Sequence, residues 1–422
     1  MKTLTPDKPG YDEARIGFQT HRSQRPAAIA IAGSADDVVS AIRTARREGR
    51  RIAVQATGHG VGAVDEKALL ISTSALDGVT VDPVRRTARI GAGARWGAVI
   101  TAAAEHGLAP LSGSAPDVGV AGYLVHGGIP LLGRRHGYAA EHVRAFEVVT
   151  ADGEQRRVTD GDLFWALRGG GGSFAVVTAV EIDLLPLTTV FGGALHLPAT
   201  ALQGWRDWAA QVPEEMSTSA AVAPFPVPAR PVLAVRIAYE GPSAEGKRLV
   251  APLYELADPM LDELRELPWT ESHTIHADPS GPVASRSTTV ALRALPDAVL
   301  DAATATQGGD VPRIVEFRRM GAAFTRGPSL PLRRDAEWTA GTLSIMAPGV
   351  DPAAADQLDV QFRSAAAAET VGRLANLLYG EGADPAAVGA AYSPQDMARL
   401  QAIRAHVDPT GALAPSAPLP VR

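Results

Sequence analysis

Nine residues, Val54-Gln55-Ala56-Thr57-Gly58-His59-Gly60-Val61-Gly62, constrain this chain more than any other stretch. The run from Arg51 to Val54 reads as a strand, and it empties into a loop with three glycines and one imidazole. Glycine lets a backbone come close to a bulky ligand and turn its N–H groups toward an anion. A histidine in such a loop stands where a ligand must pass. The same residues also suit a tight turn with a solvent-facing histidine, so the flanking segments have to decide.

Upstream, Ala27 to Ala32 reads as a strand after Arg25-Pro26. Ser34 with Asp37 three residues on is a capping-box pattern for a helix bearing Val38, Ile42 and Ala45 on one face and stopping at Gly49. Strand, helix, strand within about thirty residues is a βαβ unit, and ligands of α/β units sit at the C-terminal ends of strands. Leu69 to Ser72 is a further strand, Val79 to Val81 and Thr87 to Ala92 form a hairpin, and a helix runs from Arg95 to His106.

A second glycine-dense region follows: Gly113-Ser114-Ala115-Pro116-Asp117-Val118-Gly119-Val120-Ala121-Gly122, then His126-Gly127-Gly128, then Gly133-Arg134-Arg135-His136-Gly137. Ordering this much glycine costs roughly 0.5–1 kcal/mol per residue relative to alanine, which suggests a ligand that needs close backbone approach. A mobile glycine-rich lid is the other reading. Phe146 to Thr150 and Gln155 to Thr159 then form a hairpin across Asp152-Gly153, and Phe164-Trp165-Ala166-Leu167-Arg168 leads into Gly169 to Gly172.

The ordered series from Arg25 to Leu187 resembles the flavin domain of the vanillyl-alcohol-oxidase (PCMH-type) superfamily, within it the berberine-bridge-enzyme-like and 6-hydroxynicotine-oxidase-like oxidases. Thr57-Gly58-His59 is similar to the family's Gly-Gly-His, and Pro116-x-Val118-Gly119-x-x-Gly122 matches its Pro-x-Val-Gly-x-x-Gly. Gly127-Gly128, Arg134-x-x-Gly137, Ala151-Asp152-Gly153 and Phe164-Trp165-x-x-Arg168 complete the series. Arg399-Leu400-x-x-Ile403 and Asp408-Pro409 resemble the closing segment, whereas about 190 to 370 match in outline only. No Gly-x-Gly-x-x-Gly with a following acidic residue marks a dinucleotide fold of the other common kind.

The resemblance implies an α+β protein. Residues 1–24 would form an N-terminal arm and 25–188 a two-subdomain FAD-binding domain. Residues 189–370 would form a substrate-binding domain with an antiparallel sheet backed by helices, and 371–422 a segment returning to the FAD domain. Strands are expected at Val232 to Tyr239, Ile314 to Arg318 and Thr339 to Met346, and helices at Ala201–Gln211, Ala244–Leu256 and Ala353–Tyr379.

For chemistry the resemblance implies an FAD-dependent oxidase. It would take a hydride from an alcohol, an amine or a natural-product intermediate and pass the electrons to O2, in secondary metabolism or catabolism. A dehydrogenase with another acceptor, or a redox-neutral flavin-holding protein, are the alternatives. Cofactor contacts carry over onto Gln55, Ala56, Thr57, Gly58, His59 and Gly60; onto Ser114, Pro116, Val118, Gly119 and Gly122; onto Gly127, Gly128 and Gly137; and onto His142, Val143 and Val177. His59 matches the histidine that bonds the flavin 8α carbon. Ala115 stands where many relatives place a second, cysteinyl link, and the chain has no cysteine, so a single link is expected.

The family's Tyr-x-Asn-Tyr is replaced by Leu374-Ala375-Asn376-Leu377, which keeps Asn376 and loses both tyrosines. His126 is then the first candidate base, since its pKa range suits proton transfer near neutrality, with Tyr379 and Tyr123 in reserve. Glu316, Arg318 and Met320 share one face of a strand and Val315, Phe317 and Arg319 the other; one of the two faces could look at substrate, and the sequence does not say which. His273 and His276 lack a carboxylate at ligand spacing, so no metal is expected. Trp205, Trp208 and Trp269 read as core.

A balance of 40 basic and 46 acidic residues without like-charge blocks argues against nucleic-acid or polybasic membrane binding. No signal peptide is visible at the N-terminus, and no apolar run approaches about 18 residues, so a cytoplasmic protein is expected.

Overall fold

The computed structural model describes residues 1–21, 24–60, 64–223, 231–305, 307, 309–378, 384–414 and 419–420. Val61 and Gly62 of the glycine–histidine loop, and the reserve candidate Tyr379, lie outside the described residues.

The chain builds three sheets. The first has the order β1 (Lys2–Leu4), β2 (Ala28–Ile31), β4 (Leu69–Ser72), β3 (Ile52–Gln55). The strands of the βαβ unit, β2 and β3, do not pair with each other. Each lies parallel to β4, which is inserted between them. The connecting helix, Ala35–Arg47, starts as its sequence demands: Ser34 Oγ accepts from the Asp37 N–H at 3.1 Å. The Asp37 carboxylate accepts in return from Gly33 rather than Ser34. Its apolar face buries Val38, Ala41, Ile42 and Ala45 under the sheet.

The second sheet has the order β5 (Val79–Asp82), β6 (Thr87–Gly91), β9 (Val176–Asp183), β7 (Val143–Val149), β8 (Gln155–Val158). It shares a core with the helices Trp96–Ala104 and Val120–Val125.

Among the described residues the third sheet has nine strands, of which β13 (Leu261–Asp262) and β14 (Arg265–Pro268) are short and pair with the strand Thr189–Pro198. Its long members are β10 (Thr189–Pro198), β11 (Met216–Ala223), β12 (Val232–Tyr239), β15 (Ser285–Leu292), β16 (Arg313–Arg319) and β17 (Trp338–Ile345). The pairings among them are antiparallel. Period-2 alternation divides this sheet into two faces. Val315 and Phe317 pack with Trp205 and Trp338 into a core closed by the helices Leu202–Ala209, Ser243–Tyr254, Asp297–Ala305 and Pro352–Ala366. Glu316 and Arg318 face the other way. Met320 does not join them, because β16 ends at Arg319 and Met320 is buried beside Tyr138 and Phe324.

The helix expected over Ala353–Tyr379 stops at Ala366. A short turn leads into β18 (Thr370–Gly372), which pairs with β15. Gly372 adopts φ 151°, which is not a helical conformation, and a Cβ there would stand 2.4 Å from the Ala390 carbonyl oxygen. Asn376 therefore sits on a 3₁₀ turn, Ala375–Leu377.

Arg134 ties the third sheet to the glycine-rich half. Its side chain is buried, and its guanidinium donates to the carbonyls of Met320 (2.8 Å) and Val212 (3.0 Å). Charge-assisted bonds of this kind are the strong ones. Arg134→Met should lower stability by about 2–4 kcal/mol, read as a fall in the midpoint of denaturant unfolding. A midpoint within error of wild type would show that Arg134 carries no such load.

Candidate active site

A cavity of about 830 Å³ opens between the three sheets, a size within the range of small-molecule and cofactor sites. Its floor is made by the end of β3, the loop after it, the segment from Gly113 to His126, and Val177 of β9. Its roof is the outward face of the nine-stranded sheet.

The glycine–histidine loop is locked by a close backbone contact. Gly58 adopts φ 73°, and a Cβ there would stand 2.5 Å from the Gly17 Cα. The Phe18 and Gln19 N–H groups donate to the Thr57 and Gly58 carbonyls at 3.0 and 3.2 Å. With the carbonyls so engaged, the N–H groups of Ala56 to Gly60 make no hydrogen bond to an acceptor among the described residues. The same holds for Gly113, Ser114 and Ala115. Two rows of free N–H donors thus meet at one cavity, which is what an anionic ligand requires.

His59 lies in this row. Its ring stacks on Phe18, with centroids 3.9 Å apart and planes 13° from parallel. Its Nδ1 lies 2.9 Å from Thr57 Oγ1, while its Nε2 is buried with no partner among the described residues. Burial holds the imidazole down to about 4, with Arg95 adding to the effect and Asp117 opposing it. His59 is therefore neutral at physiological pH. When Nδ1 donates its proton to Thr57, the lone pair stands on the orphaned Nε2.

His126 caps the helix Val120–Val125. Its Nδ1 lies 2.8 Å from the Gly122 carbonyl, which can only accept, so Nδ1 carries the proton and Nε2 the lone pair. Burial lowers its pKa below the usual value, against a smaller rise from the Gly122 bond. Tyr123 presents a hydroxyl with no partner in the described structure. Its ring packs where a side chain on Gly128 (φ 68°) would have to go, 2.3 Å from a Cβ. Burial pushes the Tyr123 hydroxyl up, with Arg318 opposing.

Of the residues singled out in the sequence, Gln55, Ala56, Thr57, Gly58, His59, Gly60, Ser114, Val118, Gly119, Gly122, Tyr123, His126, Val177 and Asn376 line this cavity. Pro116, Gly127, Gly128, Gly137, His142 and Val143 do not. Pro116 packs against Gly97, Gly127 against Leu332 and Gly137 against the Glu141 carboxylate. His142 Nε2 lies 2.9 Å from the His136 carbonyl, and Val143 belongs to the core beneath.

The roof brings Glu316 and Arg318, which the sequence places on one strand face, together with Arg236, which it does not single out. Arg236 of β12 reaches Glu316 at 3.5 Å, and Arg318 donates to the same carboxylate oxygen at 2.9 Å. Burial alone would raise the Glu316 carboxyl, but Arg318 and Arg236 outweigh it and hold it down to about 2. His276 stands beside them, pushed well below its usual range by burial and by Arg236. At the rim Ser114 donates to Asp278 at 2.5 Å, joining floor to roof. A single charge in the apolar run of β12 was the legible sign of Arg236. Phe18 left none, and His276 stood out only as a candidate metal ligand.

A family model for the FAD binding domain matches residues 26–159. The FAD-linked oxidoreductase pytB of Aspergillus terreus is 35% identical over 229 residues, 51% of this chain and 28% of that protein. The (R)-6-hydroxynicotine oxidase of Paenarthrobacter nicotinovorans is 32% identical over 218 residues, 50% of this chain and 45% of that protein. The matched stretches thus span less than half the length of these two relatives. Among solved structures, 6-hydroxy-D-nicotine oxidase from Arthrobacter nicotinovorans superposes with a TM-score of 0.85 at 24% identity, covering 98% of this chain and 96% of that one. Residues 26–159 therefore match an FAD binding domain, and the chain shares the α+β fold of 6-hydroxy-D-nicotine oxidase.

Proposed function

We propose that this protein is an FAD-dependent oxidase acting on a small-molecule alcohol, amine or natural-product intermediate, with O2 as acceptor. The observation that carries the reading is the orphaned His59 Nε2, set among two rows of unpaired N–H groups in a cavity of about 830 Å³. The residues present fit FAD. The N–H groups of Ala56 to Gly60 would hold its pyrophosphate, and His59 would hold its ring through a covalent bond. Ala115 offers no second bond. FAD, when bound, supplies a two-electron acceptor for a hydride and returns the electrons to oxygen.

The chain's own residues do the rest. His126 is neutral with its lone pair on Nε2, so it can take the hydroxyl or amine proton of a substrate as the hydride departs. Tyr123 offers an unmatched hydroxyl to the same space. The reading is tested by anaerobic bleaching of the bound flavin with a panel of alcohols and amines, followed by admission of air. Bleaching followed by peroxide supports an oxidase. Bleaching that air does not reverse points to a dehydrogenase, and no bleaching across the panel removes the redox reading.

Two variants follow. His59→Ala should still bind FAD but release it on denaturation, since no second residue can form the bond; flavin retained through denaturation would disprove the single link. His126→Ala should slow anaerobic flavin reduction by roughly 10²–10⁴-fold with FAD retained, the range for general acid–base catalysis. Because the His126 pKa is lowered, the wild-type rate should stay flat as pH falls through 6.5 and decline only below it. A loss under about tenfold with an unchanged pH profile would remove His126 from this role.

A further inference from the structure

The cavity roof holds two guanidiniums and one carboxylate. The β-sheet register explains how they meet: Ser219 lies opposite Arg236 on one side and Arg318 on the other, and Ala221 lies opposite Glu316. Both arginines therefore stand in one row across three strands, with Glu316 one row away on the same strand as Arg318. Glu316 satisfies one N–H of Arg318 at 2.9 Å and meets Arg236 only at 3.5 Å. Each guanidinium carries five donors, and among the described residues Glu316 is the one carboxylate that contacts both.

Their surroundings leave room for a partner and do not supply one. Ala194, Ala221, Ala234 and Gly341 are the small residues beside them on the cavity face. Ser219 Oγ, between the two arginines, is buried and without a partner. The neighbouring imidazole, His276, is neutral. The remaining carboxylates of the cavity, Asp278 and Glu263, are exposed at its rim, where Asp278 accepts from Ser114 and Glu263 lies 3.6 Å from His196. The inner roof thus sets two guanidiniums against the Glu316 carboxylate, with Asp278 acting on Arg318 from the rim. Burying a guanidinium without its acceptors is costly, and a planar fork of donors matches a carboxylate.

We propose that Arg236 and Arg318 form a subsite for an anionic group, so that the substrate is a carboxylate-bearing small molecule held by its acid against the roof. This rests on the reading of the cavity as that of a small-molecule oxidase, and it places the acid on the wall opposite the FAD-binding floor. Glu316 has a defined part in it: it keeps the two guanidiniums apart and oriented, and it weakens their net pull on the ligand.

The test uses FAD-loaded protein and calorimetric titration with matched acid and amide pairs: benzoate and benzamide, cinnamate and cinnamamide, indole-3-acetate and indole-3-acetamide. Calorimetry needs no turnover, so a protein that oxidises nothing sinks the oxidase reading while the subsite is still read. At least one acid should bind at least about tenfold more tightly than its amide. Arg318→Gln should abolish that preference, leaving amide binding unchanged. Arg318→Lys should keep part of it, and Glu316→Gln should increase it. The Glu316 variant keeps both arginines and changes affinity in the opposite direction, so it decides the matter if a glutamine in place of Arg318 impairs folding. Acids that bind no better than amides in every pair, including no binding at all, overturn the proposal. So does a preference that survives in both Arg236→Gln and Arg318→Gln.

Discussion

The contact between Gly17 and Gly58 is the constraint on which the site depends. A Cβ on either residue would stand less than 3 Å from the other's Cα. Because neither has one, residues 17–19 lie flat against the loop and bond its carbonyls. The same contact sets Phe18 against the face of His59. The arm then continues to the roof, where the Val283 N–H donates to Phe18 and the Thr20 N–H donates to Val283. Gln19 reaches Ser285 of β15 with its side chain at 3.0 Å. One short segment thus fixes the spacing between floor and roof.

The two walls work by different chemistry. The floor presents backbone: glycines, free N–H groups and two histidines each held by one nitrogen. The roof presents side chains on a sheet whose neighbouring positions have been kept small. A backbone wall suits a ligand whose shape does not change, and a side-chain wall can be re-specified by single substitutions without disturbing the fold. The covalent-bond candidate His59 and the proton-acceptor candidate His126 both belong to the floor, so the reaction and the choice of substrate are assigned to separate elements.

This division also explains what the sequence disclosed. Close-approach demands leave glycine at fixed spacings, so the loop at Gly58 and the segments around Gly119 and Gly128 could be read directly, along with the cap at Ser34. The roof could not. Glu316 and Arg318 were seen to share a face, but which face met the cavity depends on pairing with β11 and β17, set by residues far away in sequence. Met320 was assigned to that face because nothing local shows that β16 ends one residue earlier. The alanine-rich run after Ala353 read as one helix because propensity is local, whereas the pairing of β18 with β15 is not. His276 was weighed only as a metal ligand, and its place beside Arg236 emerges from the tertiary fold alone.

The proposal on which the rest turns is that the loop after β3 bonds FAD covalently through His59 and through no other side chain. Intact-mass spectrometry of the purified protein under denaturing conditions tests it most directly. The account predicts a chain heavier by one FAD, with the added mass located by digestion on the peptide containing His59. A chain of unmodified mass, or an adduct mapped to any other residue, would contradict it.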